Sequence, residues 1–139
     1  MREFVEVMAQ AQKQFKWPIN SATLLLKHGL FFSPTKKPKH VRWGERGLCF
    51  MNAANLALAD SSLTYVEGYA HSGLLPVEHA WVVDAQGNMI DNTWPTLGQC
   101  YYGVPITEEG LRRSLVSNGY YGLFGGMGRM PYIFILKPK

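Results

Sequence analysis

The chain has 139 residues, of which 47% are hydrophobic and 17% charged. That is enough to bury one core, and the composition excludes a disordered polyelectrolyte. The net charge of +4 comes largely from one Pro-containing segment holding Lys36, Lys37, Lys39, Arg42 and Arg46, which reads either as a solvated loop or as a contact for an acidic protein or nucleic acid. No run of about 18 apolar residues is present to span a bilayer. Met1 to Glu6 show no apolar leader, so a cytoplasmic protein with reduced thiols is expected.

Phe4, Met8, Ala11 and Phe15 recur at helical spacing, and Pro18 ends or redirects that helix. Asn20 or Ser21 is placed to cap a second helix running through Ala22, Leu24, Leu25 and Leu26, with Lys27 and His28 in its last turn and Gly29 stopping it. From Phe31 to Arg46, Pro34, Pro38 and the basic residues predict a loop, with a short extended piece around His40 to Trp43. Trp43 there either lines a cleft or edges the core. One domain is expected, with residues 1–44 as its N-terminal helical part and residues 45–139 as its core.

Gly47 offers a turn into a helix reaching Leu58, with Phe50, Ala53, Ala54 and Ala57 on one face and Cys49 and Asn52 looking in a common direction. Cys49 falls in the first turn. Unpaired N–H groups and the positive end of the helix dipole favour a thiolate there, lowering a thiol pKa from about 8.5. The same groups suit a developing oxyanion.

Thr64 to Ala70 reads as a strand, and His71 to Pro76 as the loop returning the chain to His79. His79 to Val83 and Met89 to Asn92 form the next two strands of an antiparallel meander. Between them, Asp84 suits the start of a type I turn and Gly87 the left-handed position, giving a three-residue loop. That loop length sets Trp81 opposite Asp91 and His79 opposite Thr93, all four on one face, with His79 and Asp91 in side-chain reach across the diagonal. A carboxylate bonded to one imidazole nitrogen fixes the tautomer and leaves the other nitrogen free as a base.

Tyr101 to Val104 reads as a further strand or a cleft wall, Thr107 to Ser117 as a capped helix, Gly119 to Gly128 as a Gly-rich aromatic loop, and Tyr132 to Lys137 as a last strand pairing with the meander. Of the four His, His71 and His79 stand eight apart, and no metal-type His or Cys spacing occurs, so neither a metal nor a cofactor is expected.

Gly47-Leu48-Cys49-Phe50 with its helix, Glu67-Gly68-Tyr69-Ala70, Glu78-His79-Ala80-Trp81-Val82-Val83-Asp84, Ile90-Asp91 and Tyr101-Tyr102-Gly103-Val104 carry a resemblance over residues 45–105. The Gly47 to Phe50 motif with its helix, the His79 to Asp84 run and Ile90-Asp91 resemble the papain-like superfamily, especially its compact transglutaminase-like and bacterial cell-wall peptidase branches, while the Glu67 to Ala70 run, the Glu78 to Trp81 box and Tyr101 to Val104 also resemble small proteins of bacteria and their phages. The resemblance implies an α+β fold in which a nucleophile helix packs on a small antiparallel sheet, and a Cys49-His79-Asp91 triad. The activity implied is cleavage of an amide or isopeptide bond in a protein or peptide-like substrate, by a thiol peptidase, amidase or deamidase, or transfer to an amine as in a transglutaminase. Trp43, Asn52, Trp81, Trp94 and Tyr101 are the expected cleft residues. The sequence departs from papain in having no Gln shortly before Cys49 and Phe50 in place of Trp after it. The second oxyanion donor is therefore sought among a backbone N–H, the Trp43 indole and Asn52. The rival expectation is a non-catalytic papain-like binding module, such as a phage-type inhibitor, acting through its basic surface.

Overall fold

In a computed structural model, the structure describes residues 3, 5, 6, 21–73 and 75–118. The helix expected over Phe4 to Phe15, the Gly-rich loop and the strand at Tyr132 to Lys137 lie outside the described residues or mostly so, although Val5 is helical and fully buried. The elements run α1 (Ser21–His28), β1 (Leu30–Phe32), α2 (Cys49–Ala59), β2 (Thr64–His71), β3 (Pro76–Val83), β4 (Met89–Ile90), β5 (Cys100–Ile106) and α3 (Glu108–Asn118). The fold is α+β. Among the described residues the strand pairs are all antiparallel, in the order β1-β5-β2-β3-β4.

The helices stop and start where local chemistry directs. Gly29 N–H returns to Leu25 O at 2.7 Å and closes α1, while Thr107 Oγ1 accepts the Gly110 N–H at 3.1 Å and caps α3. Leu48 stands at the N-cap of α2 with no side-chain cap bond. The expected meander of β2, β3 and β4 forms, and Tyr101 to Val104 proves to be strand, extended to Cys100–Ile106 and paired along the other side of β2. Leu30–Phe32, expected to open a loop, instead adds an edge strand to β5. No strand forms at His40 to Trp43.

Alternation along the strands sorts the sheet into two faces. Tyr65 and Tyr69 of β2, Ala80 and Val82 of β3, Ile90 of β4 and Tyr102, Val104 and Ile106 of β5 form one core with Leu25 of α1, Ala53, Ala54 and Ala57 of α2 and Leu111 of α3. The alanines let α2 lie close on the sheet. Each large side chain buried here contributes about 1.5–3 kcal/mol. The opposite face carries a smaller cluster of Val66, Ala70, Trp81, Met89 and Tyr101, with Phe32 and Trp94 packed against it. Gly103 gives the Trp81 ring its space, since a Cβ there would lie 2.8 Å from that ring. His79 shares this second face.

Candidate active site

The site is built by the hairpin of β3 and β4. Asp84 Oδ1 accepts the N–H groups of Gln86 at 3.0 Å and Asn88 at 2.9 Å, and Gly87 takes φ +87°, closing the expected three-residue loop. Val83 pairs with Met89 and Val82 with Ile90. One further step along both strands brings Asp91 across from Trp81, on the His79 face. The strand was expected to continue to Asn92, but β4 ends at Ile90. Asp91 Oδ1 accepts the N–H groups of Thr93 at 2.9 Å and Trp94 at 3.2 Å, which turns the chain out of the sheet.

Asp91 Oδ2 lies 2.9 Å from His79 Nε2 and also accepts the Tyr101 hydroxyl at 2.9 Å. Four hydrogen bonds thus surround a carboxylate with no exposed surface, next to an imidazole that is 1% exposed. Burial works to raise the Asp91 pKa, but the His79 hydrogen bond and charge and the two backbone N–H groups more than offset it and hold the carboxyl below its ordinary value. An ionised Asp91 can only accept, so Nε2 carries a proton toward it, and Nδ1 is the ring nitrogen that holds the lone pair whenever the imidazole is neutral. Tyr101 O accepts the Gly98 N–H at 2.9 Å as its hydrogen goes to Asp91. Burial, followed by the Asp91 charge, pushes the Tyr101 phenol well above its usual range, so it stays a donor.

Aromatic rings enclose the imidazole. Trp94 stacks on His79 with centroids 4.0 Å apart and planes 24° apart, while Trp81 lies 6.1 Å away and Tyr101 6.1 Å away. Of these three rings Trp94 covers the imidazole most closely. The Trp81 indole N–H is buried without a hydrogen-bond partner among the described residues.

Cys49 begins α2, as its position after Gly47 predicts. The Asp84 N–H bonds Asn88 O across the hairpin, and N–H groups two residues apart point to the same side of a strand. The N–H of Ala80 therefore also points toward the β4 side, beyond the place where β4 stops. The Cys49 sulfur takes this N–H, together with that of Phe50. The thiol thus stands at the sheet edge beside the backbone neighbour of His79. Among the described residues no hydrogen bond joins Cys49 to His79; the one that His79 makes goes to Asp91. The helix start was expected to lower the thiol pKa. Burial instead raises it, aided by the charges of Asp91 and Glu67 and only partly countered by the two N–H groups.

Asn52 was expected to face the cleft, yet its carboxamide is committed elsewhere. Oδ1 accepts the Glu45 N–H at 3.0 Å, and Nδ2 donates to Glu45 O at 2.8 Å and to Thr93 Oγ1 at 2.9 Å. Both amide hydrogens are used, so Asn52 works as a clamp between the segment before α2 and the turn after β4, and not as an oxyanion donor. Gly44 N–H adds a bond to Asn92 O at 2.8 Å.

That clamp draws the basic segment to the site. A cleft of about 310 Å³ is lined by Lys36, Lys37, Lys39, Trp43, Asp91, Trp94, Pro95 and Leu97. Trp43 is 53% exposed, and Lys37 Nζ sits 4.7 Å over its ring while also donating to the carbonyls of Pro38 and Val41. The hairpin residues were found by their local pattern. The bond from Tyr101 to Asp91, the Thr93 clamp and the place of the lysines depend on contacts between segments distant in sequence and left no local signal. Among the described residues no three His, Cys, Asp or Glu gather as metal ligands. Compared with known proteins, the chain matches no family model, no curated protein and no solved structure.

Proposed function

We propose that the protein is a cysteine-dependent acyl-transfer enzyme of papain-like, transglutaminase-like architecture that hydrolyses an amide or isopeptide bond. The observation that carries this reading is the buried His79–Asp91 pair, whose committed Nε2 leaves Nδ1 as a base, close in the chain to the Ala80 N–H that holds the Cys49 sulfur. Catalytic hydrogen bonds are often long before substrate arrives.

In this reading the Cys49 sulfur bonds to the acyl carbon while its proton passes to His79 Nδ1. The carbonyl oxygen becomes an oxyanion that meets backbone N–H groups at the start of α2. Collapse breaks the C–N bond, and His79 returns the proton to the leaving amine. Water then attacks the thioester and gives its proton to His79. The C–S bond breaks, and sulfur recovers that proton. An amine in place of water makes the same steps a transfer. Asp91 holds the imidazole tautomer and favours its charged form, and Trp94 excludes water from the pair.

The lysine-lined cleft favours a second reading, a non-catalytic binding module for an acidic partner. Iodoacetamide alkylation of Cys49 against pH, with Cys100→Ser throughout, separates the two. A catalytic pair gives labelling near neutral pH that falls at least about tenfold in His79→Ala. Slow labelling indifferent to His79 favours the binding module.

A further inference from the structure

The basic segment stands on the page both as a sequence cluster and as a wall of the cleft beside Asp91. Lys36, Lys37 and Lys39 line that cleft together with Trp94, Pro95 and Leu97. Asp91 is the acidic residue in the lining, and its buried carboxylate is already satisfied by four hydrogen bonds, one of them with His79. Lys37 is held by two carbonyls and the Trp43 ring and so shapes the wall. Lys36 and Lys39 are exposed and enter no ion pair among the described residues. A pocket with apolar walls and free cations at its rim concentrates field on an anionic guest.

We propose that this cleft selects amide substrates carrying a carboxylate close to the bond that is cut, with Lys36 and Lys39 as the specificity-determining residues and Trp43 and Trp94 holding the intervening apolar atoms. The proposal rests on the cysteine-enzyme reading above. A compact cleft of about 310 Å³ suits an acidic peptide side chain. A nucleic acid needs instead an extended track that meets successive phosphates.

The test uses two dipeptidyl vinyl sulfones that differ only in a glutamate or a glutamine side chain. Covalent labelling of Cys49 is followed by intact mass, with Cys100→Ser in every variant. The glutamate probe is expected to label about tenfold faster at low salt, with the advantage shrinking as salt is raised. In Lys36→Ala/Lys39→Ala that advantage disappears, while the glutamine probe keeps its rate. That retained rate also shows that the variant is folded. Equal rates for both probes, with Cys49 still labelled, overturn the carboxylate assignment and leave the enzyme reading standing. So does protection of Cys49 from both probes by a single-stranded oligonucleotide when the probes themselves are not distinguished. If neither probe labels Cys49, the enzyme reading and this inference both fall.

Discussion

Asp91 concentrates more of the site's chemistry than any other side chain. Its two oxygens take the His79 imidazole, the Tyr101 hydroxyl and the N–H groups of Thr93 and Trp94, so it fixes the imidazole and turns the chain at once. Asp91→Asn keeps the shape but removes the charge. Taking away one partner of a buried pair costs roughly 3–5 kcal/mol. Urea unfolding at pH 7 is expected to show that loss, and Cys49 alkylation to fall with it. The pH dependence has a definite sign. Because the folded carboxyl is held below its ordinary value, Asp91 contributes fully above its unfolded pKa, about 3.9. The contribution is lost as pH falls through the folded value. The variant should therefore show a shallower acid limb than the native protein, and an identical limb would mean that Asp91 is not held as an anion.

At the scale of elements, α2 and the hairpin are separate local structures that Asn52 fastens together. Asn52→Ala removes three hydrogen bonds at a buried position, each worth about 0.5–1.5 kcal/mol. Melting should reveal a loss of roughly 2–4 kcal/mol on that scale. The labelling rate of Cys49 should fall as well, since the turn carrying Asp91 is no longer anchored to the helix carrying the thiol. A stable variant with native reactivity would remove the clamp from the account of the site. The same division explains what was legible in the sequence. The register that brings Asp91 to the His79 face follows from Asp84, Gly87 and strict alternation, all within fourteen residues of sequence, from Asp84 back to His79 and on to Asn92. The start of α2 at Cys49 follows from Gly47 and the alanine-rich run behind it. The position of β5 between β1 and β2 is set by pairing across long loops, with Gly68 against Gly103 where Trp81 needs room. Nothing in Tyr101 to Val104 alone distinguishes a central strand from a cleft wall. The Lys36 to Arg46 segment likewise looks like a solvated loop until the bond from Gly44 to Asn92 and the Asn52 clamp bring it against Trp94.

Across the whole molecule, the two faces of the sheet bring like charges to bear on one thiol. The helix-covered face carries Glu67, which accepts the Tyr65 hydroxyl, while the other face carries Asp91. Both charges raise the Cys49 pKa beyond what burial does, and backbone N–H groups oppose them. The thiol is thus kept protonated at rest, and in the proposed reaction His79 must take its proton as the new bond forms. Glu67 is an informative place to test this because it lies on the face away from the imidazole, and Glu67→Gln retains an oxygen for Tyr65. Removing its charge favours the thiolate, so the midpoint of the pH profile for Cys49 alkylation is expected to move to lower pH in a Cys100→Ser background. Such a thiol is more reactive toward iodoacetamide near neutral pH, while the dependence on His79 remains. A midpoint that stays in place or rises would show that the Glu67 charge does not reach the sulfur. The protonated resting state would then have to rest on burial and Asp91 alone.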